Sequence, residues 1–272
     1  MTADTLSLAG KTALVTGSAR ENGIGAAIAR AFARNGASVA IHYVSDSSKA
    51  KAEKVAASIA REFGTKTTVV HGSVEDPSIA NRIVEQTLKG LGADRIDILV
   101  NNAGAAGPRQ DLKDTTKKDL EYEFGVNVFG TIYLGQAVIG AGKMPQGGRI
   151  INVGTIASKI APPGTSVYAA AKAAQDSLTA SWAGELGKSH GITVNTLAPG
   201  PIGPTDMSKP YIENTDGSEH PMKAAMLAQT RAADRIGTVE DMADAALLLV
   251  SEKSRWITAQ WISISGGITG TM

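Results

Sequence analysis

Short runs rich in β-branched and other apolar residues recur along this chain at residues 12–16, 38–44, 67–71, 96–100, 149–153, 192–197 and 261–264, with longer segments of helical spacing between them. The runs are close to continuous in apolar residues rather than alternating. Strands of that kind need cover on both faces, and parallel strands joined by helical crossovers supply it. The pattern predicts an α/β chain with a doubly wound Rossmann fold, about seven parallel strands with helices on both faces. Some helix starts are written locally. Asp76-Pro77 offers an N-cap followed by proline at the first helical position, and Thr238 with Asp241 has the spacing of a capping box.

No internal repeat or low-complexity tract divides the chain, so residues 1–272 are expected to form a single domain. One long stretch, about 200–235, lacks a clear period and holds Pro201, Pro204, Pro210 and Pro221 with Met207 and Met222 near its ends. It follows a strand's carboxyl end, where α/β sheets place their ligand crevice, which suits a substrate lid. An ordinary surface loop with one short helix fits the same composition. Charged residues make up 19% of the chain and the net charge is +1, so no overall field attracts nucleic acid or an anionic membrane. The first eleven residues lack an apolar core, and no apolar run approaches a membrane span, so a cytoplasmic protein is expected. The absence of cysteine excludes disulfides, thiolate metal sites and cysteine nucleophiles. His42, His71, His190 and His220 have no ligand spacing to one another, so no metal site is expected.

The first strand runs into Gly17-Ser18-Ala19-Arg20-Glu21-Asn22-Gly23-Ile24-Gly25 and then directly into an alanine-rich segment. Glycines here permit a tight turn and let a pyrophosphate approach amides at a helix N-terminus, where the partial positive charge favours an anion. Its position between a strand and a helix strengthens a motif that is weak alone. The end of the second strand reads His42-Tyr43-Val44-Ser45-Asp46-Ser47-Ser48. An acid at the strand end would accept ribose hydroxyls and repel a 2′-phosphate. Here hydroxyls predominate and Asp46 comes late, where it can cap a helix. Arg20 would supply charge for a 2′-phosphate, which favours NADP(H) over NAD(H); a solvated loop arginine is the alternative.

Tyr168 and Lys172 stand four residues apart in a segment of helix formers, so both project from one face. A free tyrosine titrates near pH 10. A neighbouring cation favours the phenolate and brings the group nearer to what acid–base catalysis needs. The spacing alone equally describes a packing pair.

With Asn101-Asn102-Ala103-Gly104 after the fourth strand, Asn127, the Tyr168–Lys172 pair, Pro199-Gly200 after the sixth strand and the closing Gly266-Gly267, the chain resembles the short-chain dehydrogenase/reductase family from about residue 8 to 267. The second strand and the motif set look most like 3-oxoacyl carrier-protein reductases and fungal polyketide or naphthol ketoreductases. The resemblance implies that Tyr168 donates a proton to a substrate carbonyl while nicotinamide delivers hydride, and that Lys172 lowers the tyrosine pKa and holds the nicotinamide ribose. Asn127 would fix a water of the proton relay, and Thr155 would orient the carbonyl where the family usually has serine. Gly17, Ser18, Arg20, Gly23, Ile24 and Gly25 would meet the phosphates. Tyr43, Ser45, Ser73, Val74, Asn102, Ala103 and Gly104 would line the adenosine side. Pro199, Gly200, Ile202 and Thr205 would flank the nicotinamide and its carboxamide.

Four departures from the family pattern stand out. Two extra residues lie between Gly17 and Gly23. Thr155 adds a methyl to the usual serine, with Ser158 three residues later as a weaker substitute. Ser73 replaces a common aspartate, and Thr205 falls one place late, with Pro204 in the family threonine's position. The expectation is NADPH-dependent reduction of a small-molecule ketone. A carrier-bound ketone ranks slightly lower, because Arg109, Lys113, Lys117 and Lys118 are interleaved with Asp111, Asp114 and Asp119. The alternative is a nucleotide-binding regulatory module or a non-redox cyclase on the same fold. Small residues in segments 116–142 and 168–188 permit close helix packing, and the resemblance implies a homotetramer.

Overall fold

The computed structural model describes residues 6–270 apart from 207, 215 and 219. Its strands are β1 (Thr12–Val15), β2 (Ser38–Tyr43), β3 (Thr67–His71), β4 (Ile98–Asn101), β5 (Arg149–Val153), β6 (Thr193–Pro199) and β7 (Trp261–Ile264). The helices are α1 (Ile24–Arg34), α2 (Asp46–Phe63), α3 (Pro77–Leu91), α4 (Lys117–Phe124), α5 (Gly130–Ile139), α6 (Ala157–Ile160), α7 (Ser166–His190), α8 (Lys209–Ile212), α9 (Pro221–Leu227) and α10 (Val239–Val250). All strand pairs are parallel, in the order β3-β2-β1-β4-β5-β6-β7.

Side chains alternate across each strand, and both faces are covered. Ala13 and Val15 of β1, Val39 and Ile41 of β2, and Ile98 and Val100 of β4 join a core with α1, α2 and α10. Leu14, Ala40 and Leu99 point the other way, into a second core with α3, α5 and α7. This double burial is why the runs read as continuous rather than alternating. From β1 the chain winds outward through β2 and β3, then returns to build β4 on the other side of β1. That reversal opens a crevice beyond the carboxyl ends of β1 and β4.

The local start signals act as expected. Asp76 accepts from the Ser78 and Ile79 amides, and Thr238 and Asp241 close a reciprocal capping box, each cap being worth about 1 kcal/mol. Asp46 differs from expectation: Ser45 holds the extended cap position, and Asp46 opens the helix inside the first turn. Its charge favours the helix dipole there without needing to bond the amides. The segment after β6 carries two short helices, α8 and α9, and is tied back to α10 by a bridge between Ile202 and Gly237. Met207 lies outside the described residues. Between α4 and α5 the chain does not run as a regular helix: Gly125–Phe129 form a π turn.

Candidate active site

The glycine turn is built by close backbone approach. Gly17 has φ +61°, and a Cβ on it would lie 2.9 Å from Ala103 Cα. A Cβ on Gly25 would lie 2.5 Å from Asn102 Nδ2 and 2.9 Å from the Gly17 carbonyl oxygen. Only glycine fits either place. The Asn102 side chain donates to the carbonyls of Thr16 (2.8 Å) and Gly17 (3.1 Å). Thr16 Oγ1 in return accepts from the amides of Asn102 (3.0 Å) and Ala103 (2.9 Å). Asn102 and Ala103 thus brace the turn from β4.

A buried histidine braces it from β2. The Gly17 amide donates to His42 Nδ1 (3.0 Å), and His42 Nε2 donates to the Gly72 carbonyl after β3 (2.9 Å). Burial holds this imidazole neutral by lowering its pKa to about 4. Ser18 Oγ donates to the Val15 carbonyl and accepts from the His42 amide. The Gly17 amide and the Ser18 hydroxyl therefore face inward, unlike the phosphate contacts expected of them. The first turn of α1 is left to face the crevice, beginning at Gly23 with no side chain to cap it. Ile24 and Gly25 fit an anion there, since amides of a first helical turn have no intrahelical acceptor and no Cβ can stand at Gly25, whereas the Gly23 amide donates to the Arg20 carbonyl (2.9 Å).

At the strand tips Tyr43 stacks on His71 with ring centroids 4.8 Å apart. Ser45 Oγ hydrogen-bonds the hydroxyls of Ser47 and Ser48. Ser73 Oγ donates to Glu75 (2.9 Å), and Val74 is buried against Gly130. Arg20 is exposed and pairs with Asp206 at 3.2 Å, and Asn22 reaches the same carboxylate at 3.5 Å. The two-residue extension of the turn thus meets the segment after β6, while Glu21 pairs with Lys54 of α2.

Tyr168 and Lys172 lie one turn apart on α7, the tyrosine half-buried and the lysine 3% exposed. Lys172 Nζ donates to the Val153 carbonyl (2.8 Å) and to Gln175 Oε1 (3.1 Å). Burial lowers its pKa to about 8, against a pull upward from Asp176. Asn127 sits in the π turn. Its Nδ2 donates to the carbonyls of Ala105 (2.6 Å) and Glu123 (2.8 Å), and its Oδ1 accepts from the Ala105 amide (3.2 Å). A Cβ on Gly104 would lie 3.3 Å from Asn127 Oδ1 and 3.6 Å from Lys172 Nζ, so bare backbone separates these two groups. Thr155 Oγ1, at the end of β5, accepts from the Ala157 amide (3.2 Å). Ser158 instead donates to Asp176 (2.7 Å), which ties it to α7 and leaves Thr155 the better candidate for the carbonyl partner.

After β6, Pro199 and Gly200 are half-buried and Ile202 is buried. The Gly200 amide bonds the Ile264 carbonyl, and a Cβ on Gly200 would lie 2.6 Å from Ser265 Cβ. Thr205 and Ser208 bond each other through hydroxyls and amides, opening the turn that leads into α8.

Three residues of this region are not evident in the sequence. His42 reads as an isolated histidine, Gln175 as one polar residue in a helix, and Glu123 as part of a charged surface. Glu123 is in fact buried. Its Oε1 accepts from the Gly107 amide (2.9 Å), and burial raises its pKa. The signal for each was polarity at a position whose helical or strand phase points inward, and for Glu123 alone that phase is broken by the π turn that follows α4.

Residues 17–269 match the family described as enoyl-(acyl carrier protein) reductase. The chain is 40% identical over 268 residues to the short-chain dehydrogenase/reductase FrzI of a Cladobotryum species, covering 96% of this chain and 97% of that protein. Among solved structures, it is 35% identical to a blue fluorescent protein from a metagenomic library in complex with NADPH, with a TM-score of 0.85 over 97% of this chain and all of the other. A short chain dehydrogenase from Burkholderia cenocepacia in complex with NADP is 34% identical, with a TM-score of 0.84 over 97% of this chain and 99% of the other.

Proposed function

The chain belongs to the short-chain dehydrogenase/reductase family of oxidoreductases, and from that premise we propose that it reduces a small-molecule ketone to a secondary alcohol with NADPH. The reading rests on one observation: the buried ammonium of Lys172 lies one helical turn from Tyr168, with only Gly104 between it and Asn127. The NADP(H) complexes of the two similar structures support the choice of cofactor. The first turn of α1 would hold the pyrophosphate, with Tyr43, Ser45, Ser73 and Val74 around the adenosine end and Arg20, in the glycine turn before α1, for a 2′-phosphate. Pro199, Gly200, Ile202 and Thr205 would flank the nicotinamide.

When bound, the reduced nicotinamide supplies hydride to the carbonyl carbon. The Tyr168 hydroxyl donates its proton to the carbonyl oxygen, which Thr155 Oγ1 orients by a hydrogen bond. The Lys172 ammonium stabilises the phenolate left behind. Asn127 fixes the water through which Tyr168 recovers its proton by way of Lys172. The 200–235 segment acts as the lid over the substrate, and the working unit is a cytoplasmic homotetramer.

Mixing the protein with NADPH and a panel of activated ketones, and following absorbance of the reduced nicotinamide, tests the reading. Turnover is expected with at least one ketone. Tyr168→Phe should lose nearly all of it, whereas Thr155→Ser should keep most. Tight NADPH binding with no turnover on any ketone would favour a regulatory module instead. A single species of about monomer mass by light scattering would overturn the assembly.

A further inference from the structure

The catalytic helix carries a buried side chain that the proposed chemistry does not use. Gln175 is fully buried on α7, three residues after Lys172. Its Oε1 accepts from Lys172 Nζ (3.1 Å), and its Nε2 donates to Thr131 Oγ1 (2.8 Å). Thr131, on α5, donates a hydrogen bond from its own hydroxyl to the Asn127 carbonyl (2.9 Å). A continuous chain of hydrogen bonds therefore runs from the Lys172 ammonium to the backbone of the π turn, and Thr131 and Asn127 are buried as Gln175 is.

The direction of every bond is fixed by chemistry. An ammonium has donors only, so the amide oxygen of Gln175 must face Lys172 and its nitrogen must face Thr131. The Asn127 carbonyl has acceptors only, so the Thr131 hydroxyl donates there and must accept from Gln175. Both ends impose the same amide orientation. An apolar side chain could fill this volume at lower desolvation cost, because a buried amide is tolerated only when both of its ends are bonded.

We propose that Gln175 is a positioning residue, holding the Lys172 ammonium in its charged form and tying it to the turn that presents Asn127. This rests on the reading of Lys172 and Asn127 given above and names the residue that couples them. Lys172 has two acceptors, the Val153 carbonyl on β5 and Gln175. Removing the second takes away one of the acceptors that the protein gives this buried cation, which favours loss of the proton. The other titratable groups around it are Tyr168 and Asp176 on α7 itself. Among the elements packed on α7, α4 brings Glu123 and α6 brings Lys159, which is paired with Asp176. Near Lys172, β5 and the π turn offer carbonyls and the Asn127 amide.

The test is to titrate Lys172 directly, by NMR of protein carrying ¹³C at the lysine ε-carbon, in the NADPH-bound wild type and in Gln175→Leu and Gln175→Glu. Gln175→Leu should move the Lys172 midpoint down by about one pH unit, and Gln175→Glu should move it up by about as much, since a carboxylate replaces a neutral acceptor. In ketone turnover the basic limb of the kcat profile should move in the same two directions. A midpoint unchanged in both variants, with turnover falling equally at every pH, would reduce Gln175 to packing and overturn the proposal. If Gln175→Leu does not fold, Gln175→Glu decides alone, because absence of an upward shift is sufficient to overturn it. The titration needs no substrate, so it stands apart from failure of the ketone reading, which would show as absence of wild-type turnover.

Discussion

Acid should loosen the glycine turn through His42. The imidazole is fully buried, accepts from the Gly17 amide and donates to the Gly72 carbonyl, and cannot take a second proton without losing the first of these bonds. Its pKa in the folded chain is lowered to about 4 by burial, from an ordinary value of 6.5. A depressed folded value means that the unfolded chain binds the proton first as pH falls. The stabilising contribution is therefore intact above pH 6.5 and drains away down to about pH 4. Linkage between those two values makes the loss from pH 7 to pH 5 about 2 kcal/mol. Urea unfolding at several pH values would measure it, with His42→Gln as the control that keeps one donor and one acceptor but does not titrate. The wild type should lose about 2 kcal/mol more than the variant over this interval. Weakening of NADPH binding should accompany the loss, since the turn hangs from this ring. Equal losses in the two proteins would show that His42 is not the titrating group.

Further outcomes follow from the same geometry. Gly25→Ala sets a methyl 2.5 Å from Asn102 Nδ2, and should cost about 1–3 kcal/mol of stability and raise the NADPH Kd in a binding titration. Arg20 and Asp206 are both exposed, so breaking their pair should leave thermal stability almost unchanged. If Arg20 serves a 2′-phosphate, Arg20→Ala should weaken NADPH about tenfold with little effect on NADH, by loss of one charge-assisted contact, while Asp206→Ala should strengthen NADPH. Equal effects on the two cofactors would refute that role. Ketone turnover should fall above about pH 8, where the Lys172 ammonium loses its proton, and a profile flat to pH 10 would contradict the part given to that cation.

The strands were legible because burial on both faces writes itself as continuous apolar runs, and β3, β5 and β7 begin and end where those runs do. β4 starts two residues late, where the Ile96 amide turns to the Gly142 carbonyl rather than to a neighbouring strand. β6 runs on through Pro199, which the run of apolar residues alone does not reach. The capping signals at Asp76 and Thr238 were equally plain, being contacts within one helical turn. The contacts that remained hidden join residues far apart in the chain: His42 to Gly17 and Gly72, Arg20 to Asp206, and Gln175 to Thr131. The π turn was hidden for a different reason, since nothing in Gly125-Val126-Asn127-Val128-Phe129 marks one added residue in a helical ladder.

The serine cluster at the tip of β2 has a consequence for how such a chain can change. Ser45, Ser47 and Ser48 satisfy one another in solvent, while the anchor of the glycine turn, His42, sits three residues back within the strand. On the proposed reading, nucleotide preference and grip on the phosphates are thus separable traits. On that reading, acids or bases exchanged at the tip would favour one dinucleotide or the other without unseating the loop that holds either, so a switch of redox pool would lie a few surface substitutions away.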